Sequence, residues 1–216
     1  MFAIIAAAGD GVRLGNIKKQ FLKINNEFII KTCVEKLLSC NILKIVIATQ
    51  KEDFNEIKKI LHNYEKNIVL AEGGQTRQQS IENAFLKEFK NHEEKDIVLI
   101  HDVARPFFSV EKTKELIKVA KKTKAAILAC PVYDTVKHAE NLKINKTLKR
   151  ENIFLAQTPQ SFSIELYQKA LKLNENLKKN CTDDCELIEK LNHEVEIVLS
   201  SRKNFKITTK EDLKQV

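Results

Sequence analysis

The chain opens on an apolar run, Phe2 to Ala8, that breaks at Gly9-Asp10-Gly11 into a basic segment ending in Lys18-Lys19-Gln20-Phe21-Leu22. A short, continuously apolar run that meets glycines at once predicts a buried strand delivering a loop. Small residues at Ala7, Ala8, Gly9 and Gly11 let a nucleotide lie against the backbone, where unpaired N–H groups can meet phosphate oxygens. Arg13 and Lys19 add mobile positive charge beside them. Two better-known phosphate loops do not fit. The dinucleotide fingerprint needs its third glycine where Leu14 stands, and the Walker loop needs a Gly-Lys-Ser/Thr run that is absent.

The pattern that follows predicts a helix over Glu27–Cys40, a strand over Leu43–Thr49, a helix over Asp53–Tyr64 and a strand over Asn67–Glu72. Apolar strands alternating with amphipathic helices imply a Rossmann-like α/β fold, a mostly parallel sheet with helices on both faces. In such sheets ligands sit beyond the carboxyl ends of the strands. The unusual clusters all fall there. Gly73-Gly74-Gln75-Thr76-Arg77 follows the third strand and leads to a helix over Ser80–Phe89. His101-Asp102-Val103-Ala104-Arg105-Pro106 follows a strand over Asp96–Ile100, and Asp134-Thr135-Val136-Lys137 follows one over Ala125–Val132. Gathered at one sheet end, they predict one site. Gly73 and Gly74 let the chain pass close to a flat base, with Arg77 and Ser80 presented by the next helix, although Ser80 equally suits a helix N-cap. Asp102 is the acid expected near a ribose or metal, with Arg105 locking it; a purely structural Asp-Arg pair remains open.

Between Tyr133 and Phe154, apolar residues scatter among polar ones with turn signals at Glu140-Asn141 and Asn145-Lys146, predicting a projecting β-hairpin arm. Its apolar side chains have little of their own domain to cover, so a partner subunit is the expected cover. Thr135 and Arg150 stand at its base and return limb. Pro159 then forbids a helix interior over 156–162, and helices are predicted over Ile164–Leu173 and Cys185–Leu191, the latter with Thr182 as N-cap. A strand over Glu194–Ser200 leads to Lys206, beside the strand end, and to a terminal helix over Lys210–Gln215.

With 216 residues, 43% of them hydrophobic, the chain can bury a sizeable core, and a single domain over 1–216 with 133–155 as a dimerisation arm is the expected organisation. No apolar run approaches the roughly 20 residues of a membrane helix, and Met1 leads straight into a strand, so a cytoplasmic protein without membrane contact is expected. Five cysteines, odd in number and without paired ligand spacing, read as reduced thiols. The net charge of +8 is spread along nearly every helix, and no basic-aromatic surface accompanies it. That argues against a nucleic-acid reading and favours small anionic substrates.

Seven motifs run through the chain in order. They are Ala7-Ala8-Gly9-x-Gly11-x-Arg13 with Lys19-Gln20-Phe21-Leu22; Gly73-Gly74-x-x-Arg77-x-x-Ser80; His101-Asp102-x-Ala104-Arg105-Pro106; Asp134-Thr135-x-Lys137; Gln157-Thr158-Pro159-Gln160-x-Phe162; Thr182-Asp183-Asp184; and Asn204-x-Lys206-x-Thr208. Together they resemble the 2-C-methyl-D-erythritol 4-phosphate cytidylyltransferase family. The resemblance implies transfer of CMP from CTP to a polyol phosphate in non-mevalonate isoprenoid synthesis. It implies Mg2+ or another divalent cation held mainly by the CTP phosphates, with no protein metal ligands assigned. Arg13 and Lys19 would stabilise the transition state, and Arg150 and Lys206 would position the sugar phosphate. Ala7, Ala8, Gly9, Gly11, Gly73, Gly74, Arg77, Ser80, Asp102 and Arg105 would surround CTP. Thr135, Thr158 and Thr182 join the acceptor contacts, Thr135 and Arg150 coming from the partner's arm in a homodimer. The chain departs from the family pattern at Lys18, Gln75, Val103 and Ser200, where proline, an acid, alanine and glycine are usual. A related family that uses D-ribitol 5-phosphate is the nearest alternative; Ala7-Ala8-Gly9 and Lys137 favour methylerythritol phosphate. A non-catalytic nucleotide-binding module is the alternative from another class.

Overall fold

The computed structural model describes residues 1–9, 11, 15, 17–173 and 181–215. Its centre is β1 (Phe2–Ala6), whose side chains divide between two buried layers: Ala3 and Ile5 join one apolar cluster, Phe2 and Ile4 the other. A strand buried on both faces has no polar side to show, which is why the run reads as continuously apolar. The short β2 (Lys23–Ile24) and β3 (Glu27–Phe28) pair with each other and lead into α1 (Ile29–Leu38). The chain then steps outward through β4 (Ile45–Thr49), α2 (Phe54–Ile60) and β5 (Ile68–Glu72), with β1, β4 and β5 parallel. After α3 (Arg77–Glu88) it returns to the other side of β1 as β6 (Ile97–Asp102), also parallel.

The second half comprises α4 (Val110–Thr123), β7 (Ala125–Pro131), the hairpin β8 (Lys137–Glu140) and β9 (Lys143–Thr147), β10 (Phe154–Ser163), α5 (Ile164–Leu171), α6 (Asp184–Glu189) and β11 (Glu196–Leu199). The seven-stranded sheet runs β11-β7-β10-β6-β1-β4-β5, with β10 antiparallel to both neighbours. Helices α1, α2 and α4 pack on one face; α3, α5 and α6 cover the other. Because the chain leaves β1 in one direction and returns on the other side, the carboxyl ends of β1 and β6 flank the switch point where such sheets bind ligands.

Several expected boundaries move, each for a local reason. The segment 154–163 is a ten-residue strand, and Pro159 is tolerated because the register breaks between Gln157 and Gln160, where no ladder donor is required. Helix α3 starts at Arg77 rather than Ser80, since Thr76 is the N-cap and accepts from the Gln79 amide. Helix α6 is capped by Asp183, not Thr182: Asp183 accepts from the Glu186 amide at 3.0 Å, and the Glu186 carboxylate takes the Thr182 N–H at 2.8 Å in return. The last turn is a 3-10 helix over Asp212–Gln215. Both strands of the hairpin arm are exposed throughout, and its tip carries Leu142 and Ile144 uncovered. Among the described residues, no helix is long and apolar enough to cross a membrane.

Candidate active site

Four backbone bonds bring the strand-end loops together. Ala7 N donates to Ala48 O (2.8 Å), Gly73 N to Thr49 O (2.8 Å), Val103 N to Ala6 O (3.1 Å) and Ile207 N to Ala104 O (2.9 Å). Loops following β1, β4, β5 and β6 are thereby set side by side, with the Lys206 segment laid against the end of β6. Between them lies a cavity of about 570 Å³. Its first wall is Ala6 to Gly9 with Gly11 and Lys19; its second is Gly74 to Arg77 with Ser80; its third is Asp102 to Ala104 with Lys206.

The small residues are required by the geometry. A Cβ on Gly73 would stand 2.5 Å from the Ala8 Cβ, so only glycine lets the loop after β5 close against the first loop. Gly11 holds φ +64°, and a side chain there would strike the Ile17 carbonyl. Ser80 faces its own loop: Oγ accepts from the Gly74 amide at 3.0 Å and donates to the Thr76 carbonyl at 2.9 Å, fixing the Gly74 peptide. Gln50, directly after β4, donates to the Ala8 carbonyl at 2.9 Å, a support that only its position beyond a strand end could have signalled.

The charged centre is Asp102. Arg77 Nε stands 2.9 Å from its Oδ1 and Lys206 Nζ 2.6 Å from its Oδ2. Burial works against the carboxylate, but Arg77 and then Lys206 outweigh it and hold its pKa below the ordinary carboxylate value. Arg105 does not lock Asp102. Its own amide closes the turn onto the Asp102 carbonyl, and its guanidinium donates instead to Asn204 O at 2.8 Å, bracing the segment that carries Lys206. The reach across the cavity wall belongs to Arg77, one residue inside α3. Arg77 Nη1 also meets Asp184 Oδ2 at 2.7 Å, a partner that capping chemistry had concealed.

Thr158 is buried beneath Asp102 rather than open to the cavity. Its Oγ1 accepts from the Asp102 amide at 3.0 Å and lies 3.1 Å from His101 Nδ1. The hydroxyl proton is therefore available to Nδ1 of a neutral imidazole, whose Nε2 faces Cys33 Sγ at 3.8 Å. Burial pushes the His101 pKa down to about 3.

Of the other expected residues, Lys19 lines the cavity, whereas Arg105, Thr135, Arg150, Thr158 and Thr182 do not. Thr135 and Arg150 belong to the base of the arm, where the Arg150 guanidinium donates to the Tyr133 carbonyl. Arg13 lies outside the described residues. Lys18, one of the departures from the family pattern, pairs with Asp53 (2.6 Å) and Glu52 (2.9 Å), tying the basic turn to the start of α2. None of the five cysteines forms a disulfide. Among the described residues, no group of three His, Cys, Asp or Glu side chains is arranged to hold a metal ion.

A doubly wound sheet with a glycine-walled cavity and basic groups at its switch point defines a nucleotide-binding α/β protein of the nucleotidyltransferase type. The family model for 2-C-methyl-D-erythritol 4-phosphate cytidylyltransferase (IspD) matches residues 1–216, and the chain belongs to that family. It is 41% identical to the 2-C-methyl-D-erythritol 4-phosphate cytidylyltransferase of Clostridioides difficile, over 97% of this chain and 89% of that one. The enzyme of the same name from Petrotoga mobilis is 36% identical, over 98% and 94%. The crystal structure of the Francisella tularensis enzyme superposes with a TM-score of 0.82 at 34% identity, covering 99% of this chain and 96% of that one.

Proposed function

We propose that this chain transfers CMP from CTP to 2-C-methyl-D-erythritol 4-phosphate, releasing pyrophosphate and forming 4-diphosphocytidyl-2-C-methyl-D-erythritol for isoprenoid precursor synthesis. The observation that carries the reading is the single cavity that joins the first loop, the Gly74–Ser80 segment, Asp102 and Lys206. Family membership supplies the acceptor.

The reaction asks for alignment and positive charge rather than a protein nucleophile. An oxygen of the acceptor phosphate, already ionised, attacks the α-phosphorus of CTP, so no general base is needed. Negative charge grows on the equatorial and bridging oxygens as pyrophosphate leaves. Lys19, with Arg13 of the same loop, offsets it; the backbone around Gly74 meets the base, and Lys206 receives the acceptor phosphate. Asp102 is the only carboxylate among the described residues lining the cavity, and both its oxygens are already engaged. That donor set suits Mg2+ carried on the CTP phosphates better than a protein-built cage. Once bound, the ion neutralises phosphate charge.

The exposed arm, with Leu142 and Ile144 uncovered, supports a homodimer in which Thr135 and Arg150 reach the partner's acceptor site. Five cysteines outside any disulfide suit a reducing, cytoplasmic compartment. A coupled pyrophosphate assay over a panel of polyol phosphates tests the reading. Release from CTP should require methylerythritol phosphate. Faster release with D-ribitol 5-phosphate would reassign the acceptor, and CTP binding without any release would replace the enzyme by a binding module.

A further inference from the structure

Asp184 is fully buried, lines no part of the cavity, and yet carries a carboxylate aimed at a residue that does. Its Oδ2 receives Arg77 Nη1 at 2.7 Å, and its Oδ1 receives the Tyr167 hydroxyl at 2.7 Å. Asp183 beside it caps α6 and takes Gln160 Nε2 at 2.8 Å, while Gln160 Oε1 accepts from the Cys185 amide at 3.0 Å. The start of α6 is therefore pinned to β10. Asp183 already does the capping, so the cap does not require a second acid. A buried carboxylate is costly to desolvate and adds little net stability over an apolar residue of its size.

We propose that Asp184, oriented by Tyr167, is a positioning residue that sets the plane of the Arg77 guanidinium in the nucleotide cavity. A guanidinium held only through Nε can swing about that bond; a second carboxylate at Nη1 fixes the fork in one plane. Asp102 holds Nε and Asp184 holds Nη1. The remaining nitrogen, Nη2, is buried with no hydrogen-bond partner among the described residues, although Arg77 belongs to the cavity wall. A buried donor left unpaired is expensive unless something else satisfies it. Nη2 faces inward, and the part of the Arg77 side chain that stays exposed belongs to the cavity wall, so the plane in which the two carboxylates hold it sets what the nucleotide meets there. Asp184 thus acts on binding from behind the wall, through Arg77, without touching the ligand.

The inference rests on the cytidylyltransferase reading, and its test separates the two. Binding of Mg2+-CTP is measured calorimetrically without acceptor for the wild type, Asp184→Asn, Tyr167→Phe, Arg77→Lys, and the Arg77→Lys, Asp184→Asn pair. Asp184→Asn should raise the Kd for CTP about tenfold, the usual consequence of weakening one charged hydrogen bond. The kcat at saturating CTP should stay within about twofold, the signature of lost binding rather than lost transition-state stabilisation. Tyr167→Phe keeps the ring packing and should give a smaller rise, so the proposal stays testable if Asp184→Asn fails to fold. In the Arg77→Lys background, which lacks the fork, Asp184→Asn should add less than about twofold, because its effect runs through Arg77. A lowered melting temperature with an unchanged Kd would make Asp184 merely structural, and a full tenfold loss in the Arg77→Lys background would place its action elsewhere; either overturns the proposal. A wild type that does not bind CTP would instead bring down the functional reading, and this proposal with it.

Discussion

Lys206 Nζ and Asp102 Oδ2 stand 2.6 Å apart in the cavity wall, so the lysine proposed for the acceptor phosphate and the carboxylate proposed for the nucleotide share one ion pair. The pair carries a pH signature. Arg77 and Lys206 hold the folded pKa of Asp102 below its unfolded value of about 3.9. Its contribution to stability is therefore fully present above that value and is lost as the pH falls below it toward the folded pKa. Urea midpoints measured from about pH 6 down to pH 3 should drop more steeply for the wild type than for Asp102→Asn. Parallel curves would show that the ion pair contributes nothing to folding.

His101 supplies a second acid dependence at higher pH. It is fully buried and held neutral, with a folded pKa of about 3 against about 6.5 when unfolded. The unfolded chain takes up a proton that the folded chain refuses, so stability is complete above pH 6.5 and falls as the pH drops. By pH 5 the loss should reach about 2 kcal/mol relative to pH 8. His101→Asn offers an amide oxygen to Thr158 and cannot titrate, so its stability should be flatter over the same range even though its neutral-pH value is lower. Equal slopes for the two proteins would mean that His101 is protonated in the fold.

The contact between Gly73 and Ala8 predicts a compensating pair. A methyl at Gly73 would meet the Ala8 Cβ at 2.5 Å, with Thr49 O at 3.4 Å and Ser80 Oγ at 3.5 Å behind it. Gly73→Ala should therefore push the first loop and the Gly74 loop apart, costing about 1–3 kcal/mol as overpacking does and raising the KM for CTP. Removing the opposing methyl with Ala8→Gly should restore much of the loss. If the double variant were as impaired as Gly73→Ala alone, the clash would lie with backbone rather than with Ala8.

The sheet and its site were legible in the sequence where one residue type could serve only one purpose. Continuous apolar runs announced β1, β4, β6 and β7, glycine marking the end of the first, and the polar clusters after them converge on one cavity except where they belong to the arm. Long-range pairing was not legible. Asp102 and Arg105 are neighbours in sequence, yet Arg77 and Lys206, brought from 25 and 104 residues away, hold the carboxylate. A partner across a sheet leaves no local spacing to read. The buried partners of Thr158 and Asp184 were hidden for a related reason: neither a hydroxyl after a glutamine nor an acid at a helix start shows in its local spacing what it meets across the fold. Strand β10 was hidden by Pro159, whose disruption is absorbed in the register break.

The arm carries the last prediction. Lys19 lines the cavity, whereas Arg150 opens the 3-10 turn at the base of an exposed hairpin, and neither the turn nor the hairpin contributes to the described cavity wall. If each arm completes its partner's site, single variants can complement one another. Replacing Lys19 with Ala should lower kcat by roughly 10²- to 10³-fold, the usual size for losing a donor to developing charge; Arg150→Ala should cripple acceptor use. Both purified variants are nearly inactive, and their subunits are then allowed to exchange. In a mixed dimer, one site combines the two defects. The other combines the intact loop of the Arg150→Ala chain with the intact arm of the Lys19→Ala chain and works normally. Random exchange makes about half of the dimers mixed, with one sound site of two, so activity should recover to about a quarter of wild type. Sedimentation confirms that the exchanged species is a dimer. Were each arm to serve its own subunit, every site would keep one defect, and exchange would leave the mixture as inactive as its components.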